Sequence, residues 1–218
     1  MAEILRQSPV AFEVPALETE TRDRWPVVLR YADEGSGPHL VDLSHLPRWD
    51  IQDKDLARFA PCDLEIPETP GSCALKNGAL VNRMNRSQAA VWHLAPTAQA
   101  LPGQSAYSDV TESAACLALF GLHLFSITEK LTPLDFLAAG QSPPFLLQGP
   151  FSRVPCQIVA LAVEDGAAGG VMLTCSRGYA ADMAAAILNA GEEFGLRPAG
   201  EKAFRQWLEK LPAGGAGT

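Results

Sequence analysis

Apolar runs and alternating patterns dominate the middle of the chain, and helical spacing takes over near the C-terminus. HLVDLSHL, from His39, is apolar at its start and polar at its end, the mark of a strand running into a turn. Asp53–Phe59 predicts a short helix. SCALKNGALVNRM and QAAVWHL read as strands, with Asn77-Gly78 and Arg86-Ser87 as turn points. Further on, AYSDVTES leads into CLALFGL, whose unbroken apolar run predicts a buried strand. HLFSITEKL predicts a helix and PPFLLQGP a loop or short strand. VPCQIVALAVE and GGVMLTCS predict strands separated by Asp165-Gly166-Ala167-Ala168.

A longer helix follows Arg177. Ser176 is placed to cap its free N–H groups, and Met183, Ile187, Leu188 and Phe194 fall near one face. Gly195 supplies a stop and Pro198 blocks continuation. The last helix, EKAFRQWLEKL, carries Phe204, Trp207, Leu208 and Leu211 on one stripe.

These elements form a strand–helix–strand–strand plan, met twice. Asp42-Leu43-Ser44-His45 and Asp109-Val110-Thr111-Glu112 occupy corresponding places, as do Leu64 and Leu134. The expected class is α+β: two similar half-domains of mainly antiparallel sheet, with helices packed on one face, plus a C-terminal helix. Residues 25–94 make the first half, 95–104 a Pro/Gly-bearing linker and 105–211 the second half. Residues 1–24, polar with scattered prolines, read as an extended or partner-wrapping arm, and 212–218 as a flexible tail.

Composition narrows the function. With 47% apolar and 19% charged residues, the 218-residue chain can bury a sizeable core. A net charge of −8 argues against nucleic acid or an anionic membrane as main partner. No apolar run reaches the roughly 20 residues of a membrane helix, and the N-terminus shows no signal pattern, so the expected location is the cytoplasm. Five scattered cysteines without a CxxC pair point away from a disulfide framework or a zinc site.

The same landmarks, in order, resemble the glycine-cleavage T-protein (aminomethyltransferase) and sarcosine oxidase gamma-subunit superfamily over much of Leu40–Leu208. Leu40-Val41-Asp42-Leu43-Ser44-His45-Leu46 is similar to the "fDvSHm" segment that opens the family's folate-binding domain. Tyr107–Thr111 followed by Leu117–Gly121 is similar to its "DvS…alla(l/v)qGP" segment, and Glu129–Asp135 to its "L…L…D" helix end. Arg177-Gly178-Tyr179 and Glu192–Gly200 resemble its closing helix. The departures matter as much. Where T-proteins carry a "GGvvDD" turn, this chain has Asn77-Gly78-Ala79-Leu80-Val81-Asn82-Arg83, so the paired acids are gone. Trp92-His93-Leu94 runs directly into Ala95-Pro96-Thr97, without the "NA.N..kD" run that bears the family's methylene-transfer aspartate. The "RTGYTGE.GYE" run is replaced by Leu173–Gly178.

The resemblance therefore implies a gamma-like, non-catalytic subunit of a sarcosine oxidase-type complex. It implies no cofactor in this chain, with tetrahydrofolate, FAD or FMN, and NAD on larger flavoprotein and folate-binding partner chains. The alternative is a stand-alone tetrahydrofolate-binding, aminomethyltransferase-like protein, with Asp109 or Glu112 as the carboxylate facing the pterin. A third class, the folate-dependent iron–sulfur maintenance proteins, wants a "KGCY.GQE" cysteine segment that this chain lacks.

Other chemistry is sparse. Gly35-Ser36-Gly37 precedes a strand rather than opening a helix, which is wrong for a phosphate loop. His39, His45, His93 and His123 have no metal-ligand spacing. Asp42, Ser44 and His45 suggest a triad, but sequence neighbours on a strand point to different faces. Glu192 and Glu193 sit at a helix C-terminus, where the dipole disfavours anions; they read first as a solvated pair, and otherwise as a pair with a raised pKa or one that calls for a basic partner. Lys76, Arg83 and Arg86 read as a basic cluster, and Trp49 and Trp207 as interface anchors. These five are the candidate partner contacts.

Overall fold

The computed structural model describes residues 4–97, 99–163 and 169–211. The expected turn at Asp165–Ala168 and the expected tail 212–218 lie outside the described residues. The strands are β1 (Ala16–Arg22), β2 (Trp25–Tyr31), β3 (His39–Asp42), β4 (Arg48–Gln52), β5 (Cys73–Lys76), β6 (Ala79–Arg83), β7 (Gln88–His93), β8 (Tyr107–Asp109), β9 (Ala114–Gly121), β10 (Phe145–Phe151), β11 (Val154–Ala162), β12 (Gly169–Ser176) and β13 (Arg197–Ala199). The α-helices are α1 (Leu124–Thr128), α2 (Ala180–Gly191) and α3 (Glu201–Leu208).

β1 and β2 form a separate hairpin. The larger sheets have orders β10-β11-β12-β9-β3-β13 and β5-β6-β7-β4-β8. Every pairing is antiparallel except β13 on β3. The fold is α+β with mainly antiparallel sheet. The sheets interleave the two halves of the sequence: β3 joins the six-stranded sheet and β8 joins the five-stranded one.

Alternation along β9 shows the layering. Ala115, Leu117 and Leu119 pack on one face with Ile127 of α1 and Met183 and Ile187 of α2. Cys116, Ala118 and Phe120 face the opposite way, into a second core shared with Leu80, Trp92, Phe204 and Trp207. With both faces covered, the central strands have no solvent side, which is why they read as continuous apolar runs. The five-stranded sheet turns Trp49, Ile51, Val81 and Val91 to a third core beneath Leu56 and Ile66. The segment expected as a helix at Asp53–Phe59 is only a 3-10 turn, Leu56–Arg58.

Turn chemistry fixes the hairpins. Asn77 and Gly78 both have positive φ, 51° and 74°, as a two-residue turn between Lys76 and Ala79 requires. Ser176 does not cap the helix through its side chain. A 3-10 turn, Arg177–Tyr179, intervenes before α2. Gly195, at φ 73°, ends that region as expected.

The N-terminal segment departs from the expected arm. Ala16–Arg22 is half of a hairpin, and the residues before it lie along the body. Val10 is buried in the first core, Arg6 pairs with Asp23 and Glu112, and Gln7 accepts a hydrogen bond from Arg177. No helix among the described residues is long and apolar enough to cross a membrane.

Candidate functional site

The Asp42–His45 turn follows β3 and is where the most polar contacts converge. Asp42 Oδ1 accepts from the Ser44 N–H at 3.0 Å and the Ser44 hydroxyl at 2.6 Å, while Oδ2 accepts from the Ser8 hydroxyl. Ser44 Oγ in turn accepts from the Cys116 N–H at 3.1 Å, stitching the turn to β9. His45 points elsewhere, with Nε2 3.5 Å from Glu201 Oε2 on α3. Asp42, Ser44 and His45 are therefore not a triad: the serine is committed to structure and the histidine answers to a different acid.

Glu201 is the centre of a buried ion cluster. Its side chain is 1% exposed. Arg22 grips it in a bidentate fork, 3.0 Å to each oxygen, and Arg205 adds an Nε contact at 3.0 Å. Burial on its own would raise the Glu201 carboxyl. Hydrogen bonds from His45, Arg22 and Arg205 outweigh it and hold the group well below the usual carboxylate range. The cluster ties the β1–β2 hairpin to α3.

Arg48, at the start of β4, is a second buried cation. Its guanidinium donates to the carbonyls of Leu46 at 3.1 Å and Ala114 at 2.7 Å, and to Thr111 O, bridging the two large sheets. Sequence reasoning singled out none of Arg22, Arg48, Glu201 or Arg205. The i, i+4 spacing of Glu201 and Arg205 was the one local signal.

Cavities adjoin these elements. The first, about 440 Å³, lies between the N-terminal segment, the β1–β2 hairpin and the Asp42–His45 turn. The second, about 180 Å³, is a notch between the large sheets, lined by Arg48, Asp50, Gln88, Trp92, Val110 and Thr174 among others. The third, about 520 Å³, runs between Phe12–Val14 and the outer face of α2.

The anticipated site residues fall outside all three. Asp109 is exposed and accepts from the Thr111 N–H at 2.9 Å, and Glu112 pairs with Arg6 at 3.1 Å. Each carboxylate lies at the surface and holds one of these contacts. Trp49 and Trp207, read as interface anchors, are 2% and 8% exposed. Trp49 packs edge-on to His93 at 4.4 Å, and Trp207 stacks on Phe120 at 4.9 Å, so neither ring is offered to a partner. Lys76 lies at the turn end of the β5–β6 hairpin. Arg83 lies at the other end, about 13 Å away along the strand, donating to Arg86 O at 2.7 Å. Only the two arginines are neighbours. Glu193 is exposed, as a solvated pair would be, and also has a basic partner: Lys130 pairs with it, donates to Ala190 O at 2.9 Å and lies 4.6 Å from the Phe194 ring centroid.

The sequence matches no protein-family model and no curated protein. Solved structures do match. One is a chain of the heterotetrameric sarcosine oxidase from Corynebacterium sp. U-96, solved with pyrrole 2-carboxylate. Its TM-score is 0.58 at 14% identity, over 75% of this chain and 87% of that one. Another is the glycine cleavage system aminomethyltransferase T from Bartonella henselae, with a TM-score of 0.56 at 16% identity over 86% of this chain. This chain has the T-protein fold. It spans only 57% of the aminomethyltransferase, against 87% of the sarcosine oxidase chain. Asp42–His45 connects β3 to the five-stranded sheet, and Ser44 and His45 tie it to β9 and α3.

Proposed function

We propose that this chain is a non-catalytic, gamma-like subunit of a cytoplasmic sarcosine oxidase-type complex. The observation that carries the reading is a fold match over 87% of one chain of a heterotetrameric sarcosine oxidase. Two further facts support it: the paired acids of T-proteins are missing from the sequence, and Asp109 and Glu112 are occupied at the surface. In the parent reaction an N-methyl amino acid loses hydride to a flavin, and the released one-carbon unit passes to tetrahydrofolate. Flavin, nicotinamide and folate sit on the larger partner chains, and this subunit contributes docking surface. Lys76, Arg83 and Arg86 are its basic contacts in an otherwise acidic chain.

The test is affinity purification of the tagged full chain from its native host at low salt. The expected result is a stoichiometric flavin-bearing chain, seen by its visible absorbance and named by mass spectrometry. Lys76→Glu with Arg86→Glu weakens that association without lowering the melting temperature. Calorimetry of the lone chain with tetrahydrofolate gives no binding heat. A monodisperse monomer that retains no flavoprotein defeats the proposal, and tetrahydrofolate uptake by the chain alone favours a stand-alone folate protein.

A further inference from the structure

Cys156 on β11 and Cys175 on β12 are direct register partners across an antiparallel pair. Opposed residues in such a pair point to the same side of the sheet, and both cysteines lie in the first core, 6% and 3% exposed. The α-carbons of opposed residues stand about 4.5 or 5.5 Å apart, depending on the kind of ladder pair. A disulfide needs about 4.4–6.8 Å, so either value fits. The β-carbons, about 4.5–5.5 Å apart in such pairs, have to close by about 1 Å or less.

The surroundings favour that small movement. The same cross-strand row reads Gly149 on β10, Cys156, Cys175 and Ala115 on β9. A glycine and an alanine flank the pair, so no bulky side chain in the row wedges the sulfurs apart. Cys156 donates to Val154 O at 3.3 Å, a weak bond that a turn of the side chain gives up at little cost. Burial, and then the neighbouring Cys175, push the Cys156 thiol up to about 12, as two thiols facing each other would. The other three cysteines have no such counterpart. Cys73 opposes Asn82, Cys116 opposes Thr174 with its side chain in the second core, and Cys62 lies in a 3-10 turn outside the strands.

We infer that Cys156 and Cys175 are an oxidisable dithiol that closes to a cross-strand disulfide when the chain meets hydrogen peroxide. Cys156, the less buried of the two, attacks the O–O bond, becomes a sulfenic acid and releases water. Cys175 then attacks that sulfur, the S–S bond forms and the hydroxyl leaves as a second water. Two thiols are oxidised, one peroxide is reduced, and the two thiol protons end in the waters. Both thiols are protonated at neutral pH, so the reaction is slow. A groove of about 350 Å³, with Gly149, Pro155, Cys156, Cys175 and Ser176 in its lining, adjoins the pair, and only β10 separates β11 from the sheet margin. Local opening at such a margin takes less free energy than global unfolding and brings a sulfur to the oxidant. The bond locks β11 to β12, and a reducing thiol undoes it. The inference is independent of the proposed complex, because both sulfurs belong to this chain.

The experiment holds the full chain, reduced and freed of reductant, with a small excess of hydrogen peroxide at about pH 7.5 for several hours. Free thiols are counted in guanidinium, and a thiol-blocked sample is cut with trypsin and a glutamate-specific protease. Cuts after Arg153, Glu164 and Arg177 put the two cysteines on separate peptides. The thiol count is expected to fall from five to three, with peptides 154–164 and 165–177 joined in one species. The urea midpoint rises, and dithiothreitol returns it to its starting value. Cys175→Ala yields no joined peptide and leaves a sulfenic acid on Cys156 that dimedone labels. Survival of all five thiols, at a peroxide dose that consumes those of the guanidinium-unfolded chain, overturns the inference. So does a majority pairing of any other two cysteines, or loss of thiols without a joined peptide. These decisive comparisons use the unaltered chain.

Discussion

Replacing Glu201 with glutamine removes one negative charge from among three basic side chains and preserves shape. Breaking a buried ion pair by deleting one partner costs about 3–5 kcal/mol. Here the partners differ in exposure, with Arg22 at 24%, Arg205 at 30% and His45 at 7%. Water screens the first two once the acid is gone, so the lower end applies, about 3 kcal/mol. For a chain of this size that corresponds to a fall in melting temperature of about 6–12 °C. Urea unfolding of the two proteins at several pH values measures it. The Glu201 carboxyl is depressed in the folded state, so its contribution is complete above the unfolded value, near 4.3. Below about pH 5 the unfolded chain takes up the proton and the folded one does not. The gap between wild type and variant must therefore shrink as the pH falls toward the folded value. A gap that stays flat from pH 7 to 3, or one under about 1 kcal/mol at pH 7, refutes the cluster as a net contributor.

Other expectations follow from single contacts. A Cβ on Gly170 would stand 2.0 Å from the Trp207 ring, so Gly170→Ala should cost about 1–3 kcal/mol and alter the near-ultraviolet dichroism of that ring. Burial lowers the His93 imidazole, so the unfolded chain binds its proton first and stability falls as the pH drops below about 6.5. His93→Asn should flatten that slope in urea titrations between about pH 7 and 5. Burial raises all five thiols, so the native chain should react slowly with a thiol-specific dye at pH 7, and five equivalents should react at once in guanidinium. A fast equivalent in the native chain contradicts that reading.

Much of the strand plan was legible because local chemistry carried it. Asn77-Gly78 announces its turn, Gly195 its helix end, and the runs around Leu117 and Leu173 announce strands covered on both faces. β1 was hidden for a local reason: it is polar, and its turn, Asp23-Arg24, adopts φ of 47° and 65° without a glycine to mark it. The ion cluster was hidden for a distant one, since Arg22 and Glu201 are 179 positions apart. Trp49 and Trp207 were ambiguous because large aromatic rings suit interiors and interfaces alike. Only their neighbours, His93 and Phe120, decide between the two.

The placement of β3 has a consequence for how the molecule is made. Its neighbours are β9, where His39 meets Phe120, and β13, where it meets Arg197. A ribosome adding about 5–20 residues per second delivers Arg197 roughly 8–30 s after His39. Throughout that interval an apolar strand waits with a bare edge, open to pairing with the wrong chain. The nascent protein is therefore most vulnerable in midsentence, and a chaperone or an early-bound companion would do most good before the last helix emerges.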